Sequence, residues 1–116
     1  MSVLLCGDTF IRDLNYRYRS LDKPTDVLSF PQDDPECLGD IVISIDTAER
    51  QAAAASWPLE SELALLAVHG LLHLVGHDDE DEDGAAEMER LTRLILTKAE
   101  IALPPSEHPF FQSIAP

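Results

Sequence analysis

The sequence predicts an α+β domain: a small mixed β-sheet covered by helices, one of them a zincin-like metal-binding helix. Three observations carry this reading. Short runs rich in Val, Ile and Leu, bounded by Gly, Pro and Asp, punctuate the first 45 residues. From Asp46 onward the apolar residues recur at helical spacing. One of those helical stretches carries two histidines four residues apart, His69 and His73.

Taken in order, Ser2 to Cys6 is a short apolar run ended by Gly7 and predicts a strand. Asp8 suits the cap of a helix whose Ile11, Leu14 and Tyr18 share one face. Pro24 ends anything helical, and Val27 to Phe30 predicts a second strand. The composition of Pro31 to Gly39, PQDDPECLG, predicts a loop. Asp40 to Ile45, rich in Ile and Val, predicts a buried strand. Asp46 followed by Glu49 has the layout of a capping box ahead of the helix-forming Ala52 to Ala55. Pro58 fits the first turn of the next helix, which runs through Leu63, Leu66, Val68 and Leu72 to a stop at Gly76. A last helix, about Ala85 to Ile101, places Met88, Leu91, Ile95 and Ala99 at helical spacing. The expected order is β-α-β-β-α-α-α, a single domain over residues 1–103 with an irregular tail over 104–116 in which Phe110 and Phe111 are candidates for docking.

Composition narrows the function. A hydrophobic fraction of 45% over 116 residues fits one globular domain and excludes a disordered chain. The Leu-rich stretch Leu63 to Val75 is too short to span a bilayer, and the first ten residues lack the basic flank and cleavage site of a signal peptide. A cytoplasmic protein without membrane or DNA partners is expected. Cys6 and Cys37 match no zinc or redox spacing and are expected to be a small core residue and a loop thiol. With 22 acidic residues against 8 basic ones, the net charge of −14 argues against general, non-specific nucleic-acid binding. The basic residues are unevenly placed, however. Arg12, Arg17, Arg19 and Lys23 form a strip over which an anionic substrate would approach, whereas Asp78 to Asp83 is unbroken acid.

The chemistry is concentrated in His69-Gly-Leu-Leu-His73-Leu-Val-Gly76-His77-Asp78-Asp79, which holds three of the four histidines. Histidines at i and i+4 stack on one helix face, so both imidazoles reach one ion. A single histidine on an apolar face is usually a core residue; a pair at this spacing, followed by Gly and further ligand types, favours a metal, most simply one Zn²⁺ per chain. If the helix continued, His77 would lie about 12 Å along the axis from His69, too far to share an ion. The chain must therefore turn at Gly76, and Asp79 stands at the position, ten after His69, where the H-E-x-x-H-x-x-G-x-x-H proteases place their third ligand. Asp79 is the expected third ligand and His77 the alternative. Gly70 replaces the glutamate that serves those proteases as general base, which argues against peptide hydrolysis by that route.

The run HGLLHLVGHDD resembles the signature of the YbeY family, bacterial metal-dependent endoribonucleases of ribosomal RNA maturation. Further stretches match in the same order: Leu14-Asn15 with Tyr18-Arg19, then Asp22 to Pro31 (DKPTDVLSFP), then Leu38 to Ile43, and Glu87-Met88-Glu89. The similarity runs from about Ser2 to Leu103. It implies a single-strand-specific endoribonuclease acting on ribosomal RNA, with the small ribosomal subunit as partner and a role in ribosome quality control. It also assigns Arg19 to phosphate binding and transition-state stabilisation; on the residues alone Arg19 reads as a helix-end arginine balancing Asp22. Two departures stand out. The family's G-Y-D-H here reads Gly76-His77-Asp78-Asp79, so Asp79 replaces a histidine and lowers the charge of the centre by one unit. Family members also carry a further strand and helix ahead of the first strand here, so one sheet edge is expected to lie unpaired.

Lys23, Thr25 and Asp26 suit either the cleft or a turn. Trp57 is expected to anchor a helix start rather than stack on bases, and His108 to be inert. Two other functions compete with the nuclease: a metallohydrolase of a less anionic substrate, and a non-enzymatic ribosome-assembly factor with structural zinc. Three nameable ligands rather than four favour an open, catalytic site.

Overall fold

The computed structural model describes residues 1–34, 36–105 and 108. Its elements follow the expected order: β1 (Ser2–Cys6), α1 (Asp8–Arg19), β2 (Val27–Asp34), β3 (Cys37–Ser44), α2 (Ile45–Ala55), α3 (Leu59–Leu74) and α4 (Glu82–Lys98). The three strands form a mixed sheet in the order β1-β3-β2, with β1 parallel and β2 antiparallel to β3.

Period-two alternation along β3 decides what lies on each face. Val42 joins Ile11 and Leu28 under α1, while Ile41 and Ile43 turn to the opposite face and meet Ala48, Leu66 and Leu74. Helix α3 is apolar nearly all round because it is covered twice. Leu66 and Leu74 face the sheet, and Leu65, Val68 and Leu72 pack on Met88 and Leu96 of α4.

Several boundaries differ from the sequence reading. The segment from Pro31, expected to be a loop, instead continues β2 to Asp34 and returns as β3 from Cys37, with Pro31 opposite Gly39. An edge strand tolerates Pro31 because its missing N–H costs no ladder bond on the open side. Gly39, at φ 140°, is required there, since a Cβ would come within 2.3 Å of the Phe30 carbonyl. Cys37 thus opens a strand, and both cysteines are free and half-buried.

The caps also differ. Ser44, not Asp46, caps α2, accepting the Thr47 N–H. Asp46 instead accepts the N–H of Asp8 at 2.9 Å, the first residue of α1 rather than its cap. Asp8 in turn accepts hydroxyl bonds from Ser44 and Thr47, each 2.6 Å, and pairs with Arg50 at 2.9 Å. The N-termini of α1 and α2 are therefore tied by two carboxylates, each serving the other's helix.

The anticipated open edge is β1, where Val3, Leu4 and Leu5 are 46%, 49% and 46% exposed. Helix α4 begins three residues earlier than expected because Asp81 caps it, accepting the Gly84 N–H at 2.6 Å. Phe110 and Phe111 lie outside the described residues. Among the described residues, no helix is long and apolar enough to cross a membrane.

His108, expected to be inert, is buried, with Nε2 2.7 Å from Oε2 of Glu62. Glu62 is fully buried on α3, and the same oxygen accepts the indole N–H of Trp57 at 2.8 Å. Trp57 is the helix-start anchor expected of it, packed with Leu91, Ile95 and Ile101 around the α3–α4 core.

Candidate metal centre

The centre is built on the last two turns of α3. His69 and His73 are half-buried, with ring centroids 4.7 Å apart and Nε2 atoms separated by 3.1 Å. Their helix is held against the sheet by the residue between them. Gly70 lies so near Ile41 that a Cβ would fall 2.8 Å from Ile41 Cγ2, and its carbonyl accepts the Ser29 hydroxyl at 3.0 Å. A glutamate at this position would have to displace Ile41 or the helix.

Beyond the histidines the helix closes with the N–H of Gly76 on the His73 carbonyl and that of His77 on Leu72. Gly76 takes φ 99°, and nothing crowds it, so backbone conformation alone calls for glycine. The turn brings Asp79 back, and one ligand atom from each of His69, His73 and Asp79 lies within 4.8 Å of the others. His77 stands outside that group. Its charge contributes weakly to holding the Glu87 carboxyl of α4 low, a shift due chiefly to the hydrogen bond from Arg90.

A tetrahedral ion with bonds near 2.05 Å holds its donor atoms roughly 3.3 Å apart, and the imidazole pair already has that spacing. Burial, and next the neighbouring His73, push the His69 pKa down, against weaker opposing pulls from Asp26 and Asp79. The imidazole therefore keeps its lone pair at neutral pH, as ligation requires. The carboxylate of Asp79 completes a two-nitrogen, one-oxygen donor set suited to zinc.

These residues open into a cleft of about 440 Å³. The rest of its wall includes Arg19 at the end of α1, Thr25 and Asp26 ahead of β2, and Ser29 and Pro31 on β2. Arg19 does not balance Asp22, because Asp22 is taken by Arg12 at 2.8 Å. Every other arginine has an ion pair, and Arg19 has none among the described residues. The loop that carries the wall is tied from beneath: buried Asn15 donates its amide to the Lys23 carbonyl at 2.9 Å. Asp26 accepts the Val27 N–H at 2.8 Å, so it faces the cleft and also begins the strand. Lys23 itself does not line the cleft, whereas Asp78 and Glu80 of the acidic run do.

The sequence profile of the family described as Endoribonuclease YbeY matches residues 1–100. The chain belongs to the YbeY family. Endoribonuclease YbeY of Acholeplasma laidlawii is 50% identical over 103 residues, a match covering 87% of this chain and 75% of that protein. The Bradyrhizobium diazoefficiens protein of the same name is 43% identical over 119 residues, covering 94% of this chain and 65% of that one. For the Methylocella silvestris YbeY the figures are 44% over 111 residues, 92% and 63%. The chain thus spans about two thirds of the length of these relatives. Among solved structures, the solution structure of Thermotoga maritima TM1509 is similar at a TM-score of 0.54 and 28% identity, covering 84% of this chain and 69% of that one.

Proposed function

We propose that the protein is a zinc-dependent endoribonuclease that cuts single-stranded ribosomal RNA in the cytoplasm, in association with the small ribosomal subunit. The observation that carries this reading is a shared cleft: Arg19, which has no carboxylate partner among the described residues, lines it together with a three-donor metal set. Relatives up to 50% identical bear the endoribonuclease name. Three protein ligands leave a tetrahedral ion one open position, the pattern of catalytic rather than structural zinc. When bound there, the ion supplies Lewis acidity toward a phosphoryl oxygen and toward water.

The chain's own residues do the rest. Arg19 grips two non-bridging phosphate oxygens with its planar fork and offsets the charge that accumulates as the phosphorus becomes five-coordinate. Asp78 and Glu80 on the cleft rim repel phosphates, so an RNA backbone is held only in the register that sets one phosphate against Arg19. His69, kept neutral by burial, and His73 hold the ligand face of the cleft, and the Ser29–Gly70 bond fixes their helix in place.

The test is cleavage of a single-stranded ribosomal RNA fragment by purified protein before chelation, after chelation, and after zinc is restored. Loss with the chelator and recovery with zinc are expected. Undiminished cleavage by metal-free protein would remove the metal from the mechanism, and no cleavage by zinc-loaded protein would remove the nuclease.

A further inference from the structure

We propose that Tyr18, braced by Phe30, is a stacking platform for one unpaired nucleobase next to the phosphate held by Arg19. The inference rests on the ribonuclease reading above and adds a base subsite to it. The periodicity of α1 sets Tyr18 on the apolar face with Ile11 and Leu14, yet Ile11 is fully buried and Tyr18 is 67% exposed. Its ring is nevertheless not free to wander. It meets Phe30 edge to face, with centroids 5.1 Å apart and planes at 69°. Such a contact fixes an aromatic ring while leaving most of its surface open.

The placement ties the pair to the metal cleft from both sides. Tyr18 immediately precedes Arg19, a cleft residue, and Phe30 lies between Ser29 and Pro31, which are cleft residues too. Strand alternation turns Phe30 to the opposite face from its two neighbours. Since β2 is an edge strand, the pair stands just around its outer edge from the histidines. Among the described residues no strand pairs with that edge, so an extended chain can cross it with its phosphate on the cleft side and its base on the aromatic side.

Charge favours the same path. Arg19 and Lys23 have no ion-pair partner among the described residues, and they bracket the turn that follows Tyr18. Within the cleft, Arg19 is the one lining arginine or lysine, and the acidic lining residues are Asp26, Asp78, Asp79 and Glu80. A polyanion entering this cleft therefore passes over Tyr18.

A ring in this position recognises strandedness rather than sequence. Every base has a π-face, but a duplex keeps those faces stacked on their neighbours, so only an unpaired base reaches the tyrosine.

The experiment uses zinc-loaded protein and a labelled, single-stranded 2′-O-methyl oligonucleotide, with its integrity checked by gel after each titration. Anisotropy reads binding, and a walking series of single abasic positions locates the stacked base. Tyr18→Ala is expected to weaken binding about tenfold or more, while Tyr18→Phe, which keeps the ring, binds like the parent protein. One abasic position should weaken the parent protein by a similar factor and leave Tyr18→Ala no weaker than it already is. The proposal is overturned if Tyr18→Ala binds the intact strand with parental affinity, or if it weakens every abasic oligonucleotide as much as the intact one. A separate cleavage assay with unmodified RNA tests the ribonuclease reading itself, and its failure leaves the binding result legible.

Discussion

Gly70 of α3 sits against Ile41 of β3 with no space for even one more carbon, the would-be Cβ falling 2.8 Å from Ile41 Cγ2. Ile41 is fully buried and branched at Cβ, so it cannot swing aside. The position of both histidines relative to the sheet is therefore set by the residue that separates them.

Gly70→Ala follows directly from this contact. Overpacking a tight core costs about 1–3 kcal/mol, against a gain near 1 kcal/mol in helix propensity, so a net loss of up to about 2 kcal/mol is expected. The helix should also lift from β3, weakening zinc binding without touching a ligand. Thermal unfolding with zinc titration checks both, and an Ala variant as stable and as tightly metallated as its parent would show the contact to be slack.

Much of this architecture was legible in the sequence for a simple reason: local signals and local structure coincide. The sequence signals for the strand at Ser2–Cys6, the helix stop near Gly76 and the i, i+4 histidines all lie within or beside those elements. The misreadings share the opposite property. Asp46 looked like its own helix's cap, but it serves Asp8, thirty-eight residues away, and Asp8 returns the service. His108 had no partner in sequence because Glu62, its partner, is forty-six residues distant. Tyr18 obeyed the helical period and is still 67% exposed, because it meets β2 only through an edge-to-face contact with Phe30.

The Asp8 network predicts a specific acid response. Hydroxyl bonds from Ser44 and Thr47, and then Arg50, hold the Asp8 carboxyl below its usual value. A depressed carboxyl stabilises the fold above its unfolded pKa, near 3.8, and loses that contribution as pH falls through the lower folded value. Acid unfolding followed by circular dichroism should therefore show Asp8→Asn less stable at neutral pH and less sensitive to pH below 4. An unchanged slope would mean that the network makes no difference between the folded and unfolded carboxyl.

Glu62 predicts the largest stability change outside the metal site. It accepts from Trp57 and pairs with His108 through one buried oxygen. Leaving a buried polar group without its partner costs about 1–3 kcal/mol, and Glu62→Ala, which removes the acceptor of Trp57 and the partner of His108, should show a loss of at least that size in denaturant unfolding. Limited proteolysis should also cut near residue 108 faster in the variant. A loss under about 1 kcal/mol would indicate that water takes over the role of the carboxylate.

Arg19→Ala is expected to leave folding and zinc content intact while lowering RNA cleavage by about a hundredfold or more, the usual loss when one transition-state donor is removed. Arg19→Lys should recover little, since an ammonium lacks the planar fork. Cleavage at the parental rate by Arg19→Ala, measured with zinc content in parallel, would return Arg19 to the surface.

The last prediction separates Asp79 from His77. Zinc should bind at about one per chain, and the His69→Ala, His73→Ala double variant should carry none. The remaining ligand comes from the turn after Gly76. Asp79 groups with the two imidazoles as a possible third ligand, whereas His77 is not part of that group. Asp79→Ala should therefore weaken zinc binding sharply, and His77→Ala should change it little. Asp79→His exchanges a carboxylate for a neutral ligand and raises the charge of the centre by one unit. It should keep zinc and strengthen the Lewis acid, so cleavage should rise rather than fall. The ordering of the three affinities, read by competition with a chelating dye, decides the matter. If His77→Ala loses zinc while Asp79→Ala keeps it, the turn delivers the other residue.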